Sequence, residues 1–278
     1  MAHERRIITR PVLRPDGTVL QKPGLDLATG LLYQPDVDYP SVEDTPSTAE
    51  CLARRDALLD LVAPWPFANP QHRSACLAGF FTCIARPLIK GPCPLFVIDS
   101  QDVGLRKTTL VRLTSSLAIG TNPAFLDHTG GSETLASDVA RLIEERAPFI
   151  VLDNIGGASA PPAEALLSAV QRSPDATWWL TGNEIALPAR LWQRSLRIAL
   201  HGKNTPTTPV PELHDPKWQK SARPRLLSSA LSLVRRFTLE AWRRPSVPVT
   251  SDSFDGWMAF MPGFFQWLDM PDPIAVDI

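Results

Sequence analysis

The chain of 278 residues has few cysteines and no paired ones. Cys51, Cys76, Cys83 and Cys93 form no CxxC spacing and sit in apolar stretches, so they are expected as buried free thiols in a reducing compartment. Long apolar runs are missing too. No stretch reaches the about 18 apolar residues of a membrane span, and the opening MAHERRIITR lacks an apolar signal core. A soluble cytoplasmic protein, with no membrane partner, is the expectation. Charge of one sign is also lacking: the net charge is −1. The whole chain therefore does not announce nucleic-acid binding, although a local patch still can. No internal repeat is visible.

Apolar residues and proline are what the chain does have. At 44% hydrophobic it can bury a core, and its 28 prolines cut it into short elements joined by rigid loops. Residues 1–45 read as a β-rich N-terminal arm. Within it Arg6 to Leu13 is strand-like, Pro15-Asp16-Gly17 is a turn, and Thr18 to Leu20 pairs back. Pro23-Gly24 and Thr29-Gly30 read as further turns. Residues 46–90 read as helical. Ser47 and Glu50 have capping-box spacing before a helix faced by Leu52, Leu58, Leu59 and Val62. Pro64-Trp65-Pro66-Phe67 ends that helix, and Asn69-Pro70 starts another that is apolar nearly all round.

Residues 91–204 alternate strands with helices. Strands are expected at Leu95 to Ile98, Phe149 to Leu152, Ala176 to Leu180 and Leu196 to Leu200. Helices are expected over Thr108 to Ala118, Ser132 to Arg146 and Pro162 to Gln171. Strands apolar throughout imply a parallel sheet covered on both faces, an α/β fold of three layers. Residues 205–278 form a C-terminal helical region. Thr205 to Pro216 is a surface crossing, Pro224 to Trp242 and Phe254 to Leu268 are helices, and the tail from Met270 is expected to fray.

The stretch from Leu95 to Leu113, LFVIDSQDVGLRKTTLVRL, has the layout strand, loop, Lys-Thr, helix. That is the layout of a phosphate-binding P-loop, whose consensus is G-x-x-x-x-G-K-[ST]. Both consensus glycines are replaced, by Gln101 and Arg106, and Gly104 alone survives as a loop glycine. Loop glycines let the backbone approach phosphate without a Cβ in the way. Arg106 therefore either sits in a conformation that disfavours side chains, or aims its guanidinium at a phosphate. Asp102 adds negative charge beside the place where phosphates would lie.

A P-loop triphosphatase needs backbone N–H groups and a lysine at the phosphates, a hydroxyl and an acid for Mg²⁺, and a polar group for the attacking water. Gly104, Arg106, Lys107 and Thr108 map to the nucleotide. Thr108 and Asp153, at a strand end, map to Mg²⁺. Asn154 stands where a catalytic glutamate is common; an amide orients a water but cannot take its proton. Asn183, ending the next strand, fits a γ-phosphate sensor. Arg190, Arg194 and Arg197 follow as candidates for an arginine finger, within the chain or across a subunit boundary.

These residues carry a resemblance. The chain resembles the superfamily 3 / AAA+-like helicase–ATPase modules of phage and mobile-element primase–helicase proteins. The similar segments are Leu13 to Tyr33, Pro64 to Ile89, the P-loop strand, RAPFIVLDNI (Arg146 to Ile155), TWWLTGN (Thr177 to Asn183), LWQRSLRIAL (Leu191 to Leu200) and Ser253 to Pro273. The resemblance implies a P-loop NTPase fold and an ATP- and Mg²⁺-dependent ATPase working on DNA as an oligomer beside a primase or other replication partner. It also implies Lys107 and Thr108 as Walker A, Asp153 and Asn154 as Walker B, Asn183 as sensor and Arg194 as the finger arginine. Three departures stand out: the degraded loop, a stretch between Ala160 and Thr177 too short for the family's extra β-hairpin, and no primase domain. A pseudo-ATPase serving as a DNA-binding or assembly scaffold is the alternative. For DNA contact, Lys217, Lys220, Arg223, Arg225, Arg235, Arg236, Arg243 and Arg244 lie in one segment against the single acid Glu240. The same residues also fit a solvated helix face balanced by acids elsewhere.

Overall fold

A computed structural model describes residues 6–126, 132–156, 163–173, 175–202, 210–242 and 254–274. The N-terminal arm holds five two-residue strands: β1 (Ile7–Ile8), β2 (Val12–Leu13), β3 (Val19–Leu20), β4 (Gly24–Leu25) and β5 (Leu32–Tyr33). β2 and β3 pair antiparallel across a turn in which Gly17 takes φ 86°. β5 pairs with β4 and, in parallel, with β1. Gly24, expected in a turn, instead starts a strand.

Two helices follow, α1 (Thr48–Val62) and α2 (Pro70–Ala85). Both starts follow the sequence signals. The Ser47 N–H donates to Glu50 Oε2 at 2.6 Å and the Glu50 N–H to Ser47 Oγ at 3.3 Å. The His72 N–H donates to Asn69 Oδ1 at 3.0 Å, with Pro70 opening the helix. The inward face of α1 differs from expectation: Leu52 is exposed, while Cys51, Leu58 and Val62 are buried.

The central sheet contains, among the described residues, β6 (Leu95–Ser100), β7 (Ala124–Leu126), β8 (Phe149–Gly156), β9 (Thr177–Asn183) and β10 (Ser195–Ala199). All pairs are parallel, in the order β10-β6-β9-β8-β7. Helices α3 (Lys107–Ile119), α4 (Ser132–Glu144), α5 (Ala163–Arg172) and α6 (Ala189–Trp192) make the crossovers. The strand alternation sorts the two faces. Phe96, Ile98, Val151 and Trp179 join α2 and α3 in one apolar cluster. Leu95, Val97, Leu152 and Leu180 join α4 and α5 in the other. This is an α/β fold with a five-stranded parallel sheet between helical layers. Residues 163–172, in the stretch too short for a β-hairpin, are helical.

A single π turn, Trp218–Ala222, leads into α7 (Arg223–Glu240). The last helix expected is split into α8 (Asp255–Met258) and α9 (Met261–Trp267). Pro262 is the reason: it offers no N–H to the turn before it, and its ring crowds the preceding backbone. Met270, expected to fray, is buried in the main core. That core contains Leu13 and Val42 from the arm, α1, α2 and α3, and Leu231, Phe260 and Phe264 from the C-terminal region. The Thr205 end of the surface crossing and Pro162 lie outside the described residues. Among the described residues no helix is long and apolar enough to cross a membrane.

The order β6-β9-β8 places three strand ends side by side. It depends on a close approach at Gly182, where a Cβ would lie 1.7 Å from the Ile155 carbonyl oxygen. Gly182→Ala is expected to lower unfolding free energy by at least about 3 kcal/mol in chemical denaturation; a wild-type midpoint would contradict the tight sheet. Burial also pushes the thiols of Cys76 and Cys83 up to about 12 and that of Cys93 up to about 11. The thiolate is the reactive form. At pH 8 the native protein should therefore react with Ellman's reagent far more slowly than the urea-unfolded protein, and prompt reaction of all four thiols would refute this.

Candidate functional site

The site forms where β6, β9 and β8 end, at the carboxyl edge of the sheet. Ser100 of β6 lies opposite Asn183 of β9. In β8 the register to β9 shifts between Leu152 and Ile155, so Asp153 and Asn154 bulge out of the ladder. Asn154 takes φ 60°, a left-handed backbone that asparagine tolerates better than most residues. The Thr181 hydroxyl stabilises the bulge. It accepts the Asn154 N–H at 3.2 Å and donates to the Asp153 carboxylate.

Asp153 also meets the first turn of α3. Thr108 Oγ1 lies 2.9 Å from Asp153 Oδ1 and 3.1 Å from Oδ2, and donates to this carboxylate. Lys107 Nζ donates to Asn183 Oδ1. Burial holds the Lys107 ammonium below the usual lysine value, and Asp99, Asp153 and Asp102 pull it partly back. The structure thus brings together Lys107, Thr108, Asp153 and Asn183. The Asn154 side chain is exposed beside them.

The loop before α3 is held at several points. Leu105 is buried in the main core. Ser100 Oγ accepts the Asp102 N–H at 2.9 Å, and Asp102 Oδ2 accepts the Gly202 N–H at 3.2 Å. Trp65 Nε1 donates to the Arg106 carbonyl at 3.2 Å. That tryptophan arrives because the segment around it runs along β10, with Phe67 bridged to Leu200 and the Ala68 N–H on the Ala199 carbonyl at 2.9 Å. Beside it opens a hollow of about 300 Å³ walled by Trp65, Pro66, Phe67, Pro70 and Arg73.

Arg106 is the N-cap of α3, at φ 53° and ψ 41°, and no side chain caps the helix start. The guanidinium is exposed and makes no ion pair with a described residue. Gly104 is also left-handed, at φ 83°, with open space where a Cβ would be. The N–H groups of Lys107, Thr108 and Thr109 precede the first intrahelical bond, from the Leu110 N–H to the Arg106 carbonyl at 3.1 Å. This helix end faces the strand ends and is a place for an anion. At the other end of α3, buried Arg223 donates from Nε to the Ser116 carbonyl at 2.8 Å and Trp218 Nε1 donates to Ser116 Oγ at 3.2 Å.

The candidate arginines lie elsewhere. Arg194 immediately precedes Ser195, which pairs with Leu95 at the start of β6, so it lies at the amino edge of the sheet. Strand length puts it more than about 10 Å from the site of its own chain. This corrects the reading of Arg194 as a finger within the chain. Its guanidinium lies 5.9 Å from the Phe254 ring centroid. Arg190 pairs with Glu164 at 2.6 Å on the surface. Arg197 pairs with Asp99 at 3.0 Å. Asp99 is the residue that sequence reasoning missed: it is buried at the end of β6, accepts the Ile185 N–H at 3.1 Å, and bears on Lys107. The signal was present, since Asp99 ends an apolar strand as Asp153 does.

The basic strip is not one surface. Lys217, Lys220 and Arg225 are exposed, but Arg223 is buried. Arg235 is bonded to Asp44 at 2.8 Å and to the Gly17 carbonyl at 3.0 Å, and Arg236 is bonded to Glu240 at 2.8 Å. These ties hold Arg235 and Arg236 to groups of the fold. Arg243 and Arg244 lie outside the described residues.

No family model and no curated protein matches the chain. Among solved structures, the chain is similar to a JCV helicase, at 15% identity over 80% of this chain and 66% of that one, with a TM-score of 0.32. It is also similar to PCH-2 of C. elegans, at 12% identity over 95% of this chain and 89% of that one, with a TM-score of 0.32. At such scores neither likeness bears weight, and the site rests on its own geometry.

The left-handed Arg106 is a direct test of the loop. Such a backbone costs an L-residue roughly 1–2 kcal/mol, while glycine adds unfolded-state entropy of about 0.5–1 kcal/mol. Arg106→Gly is therefore expected to raise unfolding free energy by about 0.5–1 kcal/mol in urea titration. A fall in stability would mean that the arginine side chain contributes more than the backbone strain removes.

Proposed function

We propose that this chain is an ATP-binding P-loop ATPase module of helicase type, with an AAA+-like core. The observation that carries the reading is the start of α3. It is an uncapped helix N-terminus following a parallel strand, with Lys107 beside it and Thr108 bonded to Asp153. Free N–H groups and the lysine bind the β- and γ-phosphates. A hydroxyl and a carboxylate at hydrogen-bond distance are the donor set Mg²⁺ takes from a protein when phosphates and waters complete its shell, so Thr108 and Asp153 fit that ion. Bound there, Mg²⁺ would neutralise developing charge on the phosphates. Asn183 exchanges its bond to Lys107 for one to the terminal phosphate, and Asn154 orients water without accepting its proton. The hollow beside Trp65 and Phe67, which Asn69 and Arg73 also line, has room for a base.

The helicase part of the reading, with DNA as substrate in a phage or mobile-element replication setting and a primase as partner, rests on the sequence resemblance. Lys217 and Lys220 are its exposed candidates for phosphate contact, alongside Arg225. Arg194, at the amino edge of the sheet, serves as a finger only toward the nucleotide of a neighbouring copy, which makes the working form a homo-oligomer. Segments 1–45, 46–90, 91–204 and 205–278 act as one module, because one apolar core runs through all of them. The second reading, a pseudo-ATPase used as a scaffold, is favoured by the left-handed Arg106 and by the amide at Asn154.

Calorimetric titration with Mg-ATP decides between binding and its absence. Wild-type protein is expected to bind, and Lys107→Ala to lose at least tenfold in affinity. No binding at millimolar ATP would sink the ATPase reading. Binding without phosphate release in a turnover assay would leave the scaffold.

A further inference from the structure

A second cavity opens at the amino edge of the sheet, on the far side from the phosphate loop. Its volume is about 320 Å³. That is within the lower range of small-molecule pockets, about 300–1,000 Å³. Four arginines line it, Arg6, Arg10, Arg86 and Arg146, against a single acid, Asp175. They come from four places in the chain. Arg6 and Arg10 flank β1, Arg86 follows α2, and Arg146 stands in the turn before β8. Ile8, Ile84 and Leu231 supply apolar wall.

The four guanidiniums are not equivalent. Arg86 is committed to the fold: it donates to the carbonyls of Ile89 and Gly91 and to Cys93 Sγ. Arg6, Arg10 and Arg146 have no ion pair with any described residue. Arg10 is partly buried and crowded by protein. Desolvation, with the like charge of Arg223 next, pushes its guanidinium down to about 10, and Arg6 acts in the same direction. The groups that pull it back, Tyr39 and Cys83, are both pushed up by burial and are neutral at pH 7. Taking a cation out of water without a counter-charge is costly, and charged side chains inside proteins are normally paired. Among the described residues no carboxylate is paired with Arg6, Arg10 or Arg146.

We propose that this cavity is a second anion site, which takes the phosphate group of a small phosphorylated organic molecule and is separate from the phosphate loop. Phosphate suits the chemistry, since Arg6, Arg10 and Arg146 line one cavity and one carboxylate ligand would neutralise only one of them. The apolar wall takes the organic part. Pocket shape favours a small molecule over a nucleic-acid strand, which calls for an open basic track. β9, seven residues long, spans from this cavity toward the phosphate loop, a separation of about 20 Å. The two sites are therefore filled independently, and this inference stands whether or not the loop binds ATP.

The test uses the full chain carrying Lys107→Ala, so that the phosphate loop is silent. Adenosine 5′-monophosphate and inorganic pyrophosphate are titrated by calorimetry at low salt. The expected result is one site per chain, competition between the two probes, and at least a tenfold loss of affinity in Arg10→Gln. Arg146→Gln, at an exposed position, should also weaken binding and covers the case in which Arg10→Gln fails to fold. Binding unchanged in both variants, or no binding of either probe, overturns the proposal. So does a strand of oligothymidylate that binds through Arg10 and Arg146 where the two small probes do not.

Discussion

The hydrogen bond between Thr108 and Asp153 is the contact on which the rest of the site depends. It joins the first turn of α3 to the end of β8, two elements separated by β9 in the sheet. For the bond to form, β8 must bulge, Asn154 must accept a left-handed backbone, and Gly182 must leave room for the Ile155 carbonyl. Thr181 completes the arrangement by holding the bulge and the carboxylate together. Each of these residues is fixed by the demands of one polar contact in a crowded sheet edge. A hydrogen bond of this kind adds only about 1 kcal/mol to stability. Its value lies in position, because it fixes a hydroxyl and a carboxylate side by side.

A large part of the architecture was legible in the residues, for reasons that can be named. The strands of the sheet are buried on both faces, so LFVI, FIVL and WWL read as unbroken apolar runs. The helix starts at Ser47 and Asn69 carry side chains that do a local job, and local jobs show in sequence. β7 escaped notice because it is three residues long and sits at the edge. The split of the last helix at Pro262 was missed although proline announces it, because aromatic residues on either side mimic one continuous face.

The site divides in the same way. Lys107, Thr108, Asp153 and Asn183 stand out in the sequence because each follows or ends an apolar strand in a fixed order, and the fold brings them together. Asp99 ends the run LFVI as Asp153 ends FIVL, so its place carries the same signal. The partners of the surface arginines were not legible, for a different reason. Arg235 meets Asp44 and the Gly17 carbonyl, at sequence separations of 191 and 218, and nothing local signals such partners. Charge composition along a segment says how many cations it carries, and tertiary structure decides how many of them are free. Arg106 lies between these cases. Its place in the loop was evident, and its left-handed backbone came only with the fold.

The far end of α3 has a consequence for how this chain can be divided. Gly120 closes the helix with φ 81°, and a Cβ there would lie 2.3 Å from Arg223 Nη2. The glycine and the arginine are thus complementary shapes, one missing a side chain where the other inserts a guanidinium. Trp218 adds its indole to the same helix end. A truncation after residue 204 would strip α3 of its terminal partners and lay open the apolar face covered by α7. The C-terminal segment thus grips the helix that follows the loop at its far end.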